Sequence, residues 1–354
     1  MTQPNLISIV IPVLNEEGNI RVVYNAVKQA TDSLFFDFEL IFVDDGSTDR
    51  TAELVGELHE NDPMVKLVRF ARNFGHQPAI TAGMEYAAGA AVITMDADLQ
   101  HPPTLIPTLI KQWSLGFEVV QTQRIDGQET GLLKRATSCL FYRLINACID
   151  RPILPGGADF RLLDRRVVDR LNELPERNRF VRGLVSWIGF KQVSIPYTSN
   201  TRYSGQTKYT VRKMMRFAAD GVTSFSIVPL RIATYLGLIT AVSGVPYALW
   251  AVWSRMFTDT LIPGWASLIV AILFLGGVQL ICLGVLGEYI GCIYDEVKGR
   301  PLYIARDTLG FRPIRKVENG REESPTETDV SAGPRPSTFT TVPVDEYAAQ
   351  QARD

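Results

Sequence analysis

Two carboxylates, Asp96 and Asp98, stand one residue apart in the stretch AVITMDADLQHPP, directly after an apolar run that reads as a buried strand. No cationic side chain lies beside them in sequence, and carboxylates that close repel unless a cation comes between them. Oxygen ligands of this kind suit Mg2+ or Mn2+, which bind through a few carboxylates plus the phosphates of a substrate. A chain that leaves the strand at Asp98 brings both oxygens to one point. A lone pair of this type is also an ordinary solvated strand-to-loop junction, so its meaning rests on context. Part of that context is VDDGSTD, residues 43–49, where Asp44 and Asp45 end another strand, Gly46 permits a sharp turn and Ser47 is placed to cap a helix beginning near Thr48. A carboxylate here can accept hydrogen bonds from the N–H of a base or from ribose hydroxyls. Pro12, Asn15, Glu16 and Glu17 follow the first strand, a run that helix capping alone would also explain.

The elements that position these groups alternate up to about residue 170. Strand-like ISIVIPVL, FELIFVDDG, VKLVRFA, AAVITMDAD and FEVVQTQR are separated by helical patterns over 19–31, 48–61, 77–88 and 103–115. Strands rich in Val and Ile with little polar alternation are buried on both faces, which helices on either side of a parallel sheet produce. The expected class is α/β, an open and mostly parallel Rossmann-like sheet. Ligands of such sheets bind beyond the carboxyl ends of the strands, where IPVLNEE, VDDGSTD and MDADLQ all fall. Residues 124–135 read as a polar loop, followed by a helical zone over 134–149 and the segment GGADFRLLDRRVV, then a helix to Leu174 and a strand-like KQVSIPYT.

A formal net charge of −2 argues against a nucleic-acid binder with a general basic surface. The four cysteines lack CxxC spacing and read as inert thiols of a reduced compartment. Residues 232–253 and 265–286 each run 22 positions without a charge, enough to cross a hydrocarbon core of about 30 Å. Trp250, Trp253 and Trp265 flank the short connection as interfacial anchors. Arg212, Lys213, Arg216 and Arg231 precede the first span and Lys298, Arg300 and Arg306 follow the second, which predicts that both long flanks are cytoplasmic. The expected organisation is a catalytic domain over 1–210, a basic amphipathic membrane-surface region over 211–231, spans over 232–253 and 265–286, an interfacial segment over 287–308 and a tail over 315–354 too polar to fold.

IPVLNEE, VDDGSTD, RNFGHQPAI and MDADLQHPP, in this order and spacing, resemble the GT-A glycosyltransferases of family 2. GGADFRLLDRRVV, YSGQTKY, two spans and GEYIGCIYDEVKGRPLYI narrow the resemblance to the polyprenyl-phosphate glycosyltransferases, relatives of dolichyl-phosphate mannose synthase and especially the GtrB-like branch. Cys292 departs from the pattern, standing where a basic residue is expected after GEYIG. The resemblance implies inverting transfer of a sugar from a nucleotide donor to the phosphate of a membrane polyprenol, at the cytoplasmic face of the plasma (inner) membrane. It implies that Pro12, Glu16, Asp44 and Asp45 line the nucleoside site and Arg124 meets the donor phosphates. Asp96, Asp98 and Gln100 would hold Mg2+ or Mn2+ with the diphosphate, and Asp159 is the family's usual candidate base.

The acceptor is a phosphate monoester, mostly dianionic at pH 7, so it needs relief from repulsion more than it needs a base. Arg202 and Lys208 are placed to bind that phosphate, and Asp159 serves equally to orient Arg161 or the sugar. UDP-glucose with undecaprenyl phosphate is the expected substrate pair. GDP-mannose is the alternative donor, and an inactive membrane scaffold the alternative role. Glycines 276, 277, 284, 287 and 291 have spacings that allow close helix contact, hence an expected homo-oligomer.

Overall fold

The computed structural model describes residues 3–124, 157–177, 179–197, 228–257 and 264–311. Its centre is an eight-stranded sheet. In chain order the strands are β1 (Gln3–Val13), β2 (Asp37–Asp44), β3 (Val65–Phe70), β4 (Gly89–Thr94), β5 (Val119–Arg124), β6 (Gly157–Asp164), β7 (Gln192–Tyr197) and β8 (Ala305–Leu309). Spatially they run β7-β5-β6-β4-β1-β2-β3-β8. The pairs β1–β2, β1–β4, β2–β3 and β5–β7 are parallel, whereas β6 is antiparallel to both β4 and β5, and β8 is antiparallel to β3.

The helices are α1 (Ile20–Thr31), α2 (Thr51–Asn61), α3 (His76–Tyr86), α4 (Ile106–Ser114), α5 (Arg165–Glu173), α6 (Val181–Trp187), α7 (Val228–Phe257) and α8 (Trp265–Lys298). Alternation along β1 explains the layers. Ile7, Ile9, Ile11 and Val13 enter one core with Ile20 and Val23 of α1 and Leu109 of α4, while Val10 enters the other with Ala79 and Ile80 of α3 and Val168 of α5. Burying each such aliphatic side chain contributes about 1.5–3 kcal/mol before entropy is counted. Gly83 of α3 sits where a Cβ would lie 2.1 Å from Val10 Cγ1, so only glycine lets this helix approach β1 so closely.

Two features depart from expectation. The sheet is mixed, because GADFRLLD, a segment given no strand in the expected sheet, returns as a strand inserted between β4 and β5 and antiparallel to both. The segment expected at the membrane surface over 287–308 also divides. Helix α8 continues unbroken to Lys298, Gly299 ends it at φ 60°, and Ala305–Leu309 then pairs with β3. A sheet edge with unpaired backbone groups is a strong template for such a strand. Tyr303 stacks on Phe70 with ring centroids 4.8 Å apart, and Ala71 N donates to Ile304 O at 2.9 Å, which seals that edge.

Helices α7 and α8 pack against each other and leave large apolar side chains exposed, among them Leu238, Ile239 and Leu249 on α7 and Ile272, Leu280 and Ile281 on α8. Among the described residues, Phe274–Lys298 is the one stretch long and apolar enough to cross a membrane, and Val228–Thr240 is a shorter apolar one. The expected pair of spans is therefore matched by two long helices, of which one meets that standard. A Cβ at Gly276, Gly277, Gly284, Gly287 or Gly291 would meet nothing within 4 Å, so these glycines do not serve the contact with α7.

Candidate active site

Strands β1, β2 and β4 end together, with Val13 beside Asp44 and Val10 beside Thr94. Because β2 lies on one side of β1 and β4 on the other, the strand order reverses here, and the crevice at such a point is where open α/β sheets bind ligands. The loops after β1 and β2 are laced together. Asn15 N donates to Ser47 Oγ at 2.9 Å, Glu16 N to Thr51 Oγ1 at 2.9 Å and Glu17 N to Asp49 Oδ2 at 3.2 Å, while Thr48 N donates to Asn15 Oδ1 at 2.9 Å. Ser47 therefore ties two loops together instead of capping a helix, and α2 starts at Thr51, whose N–H is taken by Asp49 Oδ1 at 3.0 Å.

The two acids of VDDGSTD point to different tasks. Asp44 is fully buried opposite Val13, and Pro12 stands one position earlier on β1, opposite Val43. Its Oδ1 accepts from Ser47 N at 2.8 Å, and its Oδ2, 3.4 Å from Arg69 Nε, has no hydrogen bond. A buried carboxylate oxygen left in that state is suited to a donor arriving from a ligand. Asp45, expected beside it in the nucleoside site, turns the other way: it accepts from Phe74 N at 2.6 Å and Gly75 N at 2.9 Å and so shapes the turn into α3. Burial pushes its carboxyl up, against those two amide bonds. Gly46, at φ 78°, lies where a Cβ would meet Arg72 C at 2.6 Å, which fixes how tightly this turn sits on the β2 loop. Glu16 is half-buried and accepts from Asn19 Nδ2 at 2.6 Å.

After β4 the chain makes a compact loop. Asp98 Oδ1 accepts from Gln100 N at 3.1 Å, and Leu99 takes the left-handed conformation at φ 58°. Asp96 N donates to Nδ1 of the buried His101 at 3.2 Å, and that imidazole stacks on Phe160 with centroids 5.4 Å apart and meets Tyr197 edge-on. Asp96 and Asp98 remain partly accessible. Among the described residues no three His, Cys, Asp or Glu side chains form a complete cation cage. Two carboxylates are a partial donor set, which fits a Mg2+ or Mn2+ ion that takes its other ligands from phosphate oxygens and water.

The reversed strand β6 places its first residues at the edge where its neighbours finish. Asp159 thus arrives beside Asp96, anchored by Thr94 Oγ1 donating to Asp159 O at 2.6 Å. Arg161, two residues on and 1% exposed, donates from Nη2 to Asp159 Oδ1 at 2.5 Å. Arg182, from α6, reaches Asp159 Oδ2 at 3.3 Å. His76, the first residue of α3, sets Nε2 3.5 Å from Asp96 Oδ1 and 3.7 Å from Asp159 Oδ2. Burial opposes ionisation of Asp159, but Arg182, His76 and Arg161 outweigh it and hold its carboxyl well below the usual range. Burial likewise opposes charging His76, yet Asp159 and Asp96 raise it to about 9. Burial lowers Arg161 to about 10, with Asp159 resisting, which leaves it a cation at neutral pH.

Arg124 ends β5 beside Tyr197, the last residue of β7. Burial pushes the Tyr197 hydroxyl up to about 12, with Arg124 opposing and Asp96 and Asp98 adding, so all three charges act on one ring. Arg202 and Lys208 lie outside the described residues. His76, His101 and Arg182 were not anticipated. The two histidines stood inside quoted motifs, RNFGHQPAI and MDADLQHPP, whereas Arg182 sits in a stretch, RFVRGLVSW, with no motif to mark it.

This geometry belongs to a chain with clear relatives. The family model "Glycosyl transferase family 2" matches residues 8–171 and "GtrB C-terminal hairpin" matches residues 228–293. The Bacillus subtilis (strain 168) protein "Uncharacterized glycosyltransferase YkcC" is 47% identical over 308 residues, covering 87% of this chain and 95% of its own. The Shigella flexneri protein "SfII prophage-derived bactoprenol glucosyl transferase" is 43% identical, with 87% and 99% covered. The "Prophage bactoprenol glucosyl transferase homolog" of Escherichia coli (strain K12) is 42% identical, with 85% and 98% covered. With the acidic loops gathered at the switch point of the sheet and likeness extending over nearly the whole length of these relatives, the chain belongs to glycosyltransferase family 2.

Proposed function

We propose that the protein is a membrane-bound inverting glucosyltransferase that moves glucose from UDP-glucose to undecaprenyl phosphate at the cytoplasmic face of the plasma membrane. The observation that carries this reading is the 42–43% identity, over 85–87% of the chain, to relatives named bactoprenol glucosyl transferases. An oxygen of the acceptor phosphate forms the new bond to the anomeric carbon. The bond from that carbon to the donor diphosphate breaks, and its electron pair leaves with the nucleoside diphosphate. Pro12, Glu16 and Asp44 receive the nucleoside, with Arg69 moving off Asp44 Oδ2. Arg124 meets the donor phosphates.

Asp96 and Asp98 would hold the divalent ion beside Gln100, and when bound that ion neutralises the diphosphate as it leaves. Asp159 acts through the guanidiniums it anchors, since a carboxylate held so far below neutrality is a weak acceptor of protons. Arg202 and Lys208, which follow Tyr197 in the sequence, are assigned to the acceptor phosphate. Helices α7 and α8 form a hairpin across the bilayer, supported by their exposed apolar side chains, with the sheet and both ends of the chain on the cytoplasmic side. The glycines of α8 that face away from α7 suit a homo-oligomer.

The test incubates purified full-length protein and undecaprenyl phosphate with radiolabelled UDP-glucose, GDP-mannose and other nucleotide sugars, with Mg2+ or Mn2+, and then extracts lipid. Label from UDP-glucose in the organic phase supports the reading, and label from GDP-mannose alone reassigns the donor. No label from any donor, with no Mn2+ bound, leaves an inactive scaffold.

A further inference from the structure

Asp159 is the meeting point of two guanidiniums that differ in access. Arg161 is 1% exposed and balances the carboxylate from within the protein. Arg182 approaches the opposite oxygen with a side chain 20% exposed, at the cleft rather than beneath it. Two guanidiniums thus meet at this carboxylate. A guanidinium offers a planar fork of donors that matches phosphate oxygens.

Arg182 is also held in place. Val181 N donates to Gln77 Oε1 at 3.0 Å, which ties the start of α6 to the start of α3, and Val181, Leu184 and Val185 are buried in the core. His76 Nε2 lies 3.5 Å from Asp96 Oδ1 and 3.7 Å from Asp159 Oδ2, so the Arg182–Asp159 pair meets, at one ring nitrogen, the carboxylate assigned to the donor's diphosphate. That adjacency puts a phosphate-matching guanidinium beside the assigned reacting centre.

We propose that Arg182 binds the phosphate monoester of the lipid acceptor, with Asp159 as the positioning residue that presents its guanidinium to the cleft. The inference deepens the reading of the protein as a polyprenyl-phosphate glycosyltransferase and rests on it for the identity of the acceptor. The donor's diphosphate offers the same chemistry, and the test separates the two sources.

Full-length wild type, Arg182→Gln and Arg182→Lys are compared in nanodiscs. The KM values for undecaprenyl phosphate and UDP-glucose are measured, together with direct binding of undecaprenyl phosphate and of UDP in the absence of turnover. Arg182→Gln is expected to raise the acceptor KM and weaken undecaprenyl phosphate binding by about tenfold or more, the loss of one charge-assisted contact, with donor KM and UDP affinity within about twofold. Arg182→Lys, which keeps the charge without the fork, falls between and controls for folding. A shift in donor KM or UDP affinity with the acceptor unchanged overturns the proposal, as does no shift in either. A wild type that makes no glycolipid yet binds undecaprenyl phosphate through Arg182 removes the functional reading and leaves the phosphate site standing. Normal turnover in both variants removes the phosphate site alone.

Discussion

Asp159 and Arg161, two residues apart on one strand, form an ion pair at 2.5 Å in which the arginine is almost wholly buried. Positions i and i+2 of a strand share a face, so the pair is built into the local geometry of β6. Breaking it leaves a buried cation, and removal of one partner from such a pair costs about 3–5 kcal/mol. Asp159→Asn should therefore lower the melting temperature at pH 7. The carboxyl of Asp159 titrates below its unfolded value, so its stabilisation is complete above about pH 4 and is lost only as pH falls through the folded value. The gap in melting temperature between wild type and Asp159→Asn should narrow in acid, and narrow again from about pH 6.5 towards 9 as His76, which Asp159 helps raise to about 9, gives up its proton; a gap that widens on acidification below about pH 4 contradicts this account. The pH–rate profile of the wild type should carry no limb from Asp159 near neutrality.

Asp96→Ala and Asp98→Ala should each cut glycolipid formation by about a hundredfold or more if the ion stabilises the leaving diphosphate as assigned. Mn2+ binding followed by electron paramagnetic resonance gives a readout that does not depend on turnover. Undiminished Mn2+ affinity in both variants would sink the assignment of these carboxylates.

His101 is buried, and Asp96 N donates to its Nδ1. His101→Leu keeps much of the volume packed on Phe160 and removes the acceptor, leaving the Asp96 amide without its partner at a cost of about 1–3 kcal/mol. Mn2+ should bind about three- to tenfold more weakly, while UDP-glucose binding measured without metal stays the same. Equal Mn2+ affinity in variant and wild type would show that Asp96 needs no such support.

Gly46→Ala places a methyl against the Arg72 backbone in a conformation that L-residues avoid. The left-handed backbone alone costs about 1–2 kcal/mol, and the neighbouring atoms are backbone that cannot rotate away. The variant should melt at a lower temperature and bind donor more weakly, because the 72–75 turn carries both the Asp45 contacts and the approach to His76. A variant with wild-type stability would show that the turn yields freely.

Much of this was legible in local sequence. The runs ISIVIPVL, FELIFVDDG and AAVITMDAD, each closed by polar or acidic residues, identify strands β1, β2 and β4 because burial on both faces demands uninterrupted apolar residues and the loops must carry the polar ones. The acidic groups of MDADLQ and VDDGSTD fall at one end of the sheet for the same reason, since parallel neighbours finish on the same side. The long uncharged runs after residue 228 likewise announce two long helices.

Strand direction and long-range partners were not legible, because a strand's residue pattern is the same whichever way it runs and a side chain's neighbours across the fold leave no trace beside it in the chain. The reversal of β6 brings Asp159 and Arg161 to the cleft, and α6 then delivers Arg182 and α3 delivers His76 to the same carboxylate. Asp44 and Asp45, adjacent in sequence and alike in chemistry, part company because one packs under Arg69 and the other meets the backbone of residues 74–75. Only tertiary packing decides which of two neighbouring carboxylates braces a turn and which keeps an oxygen without a hydrogen bond.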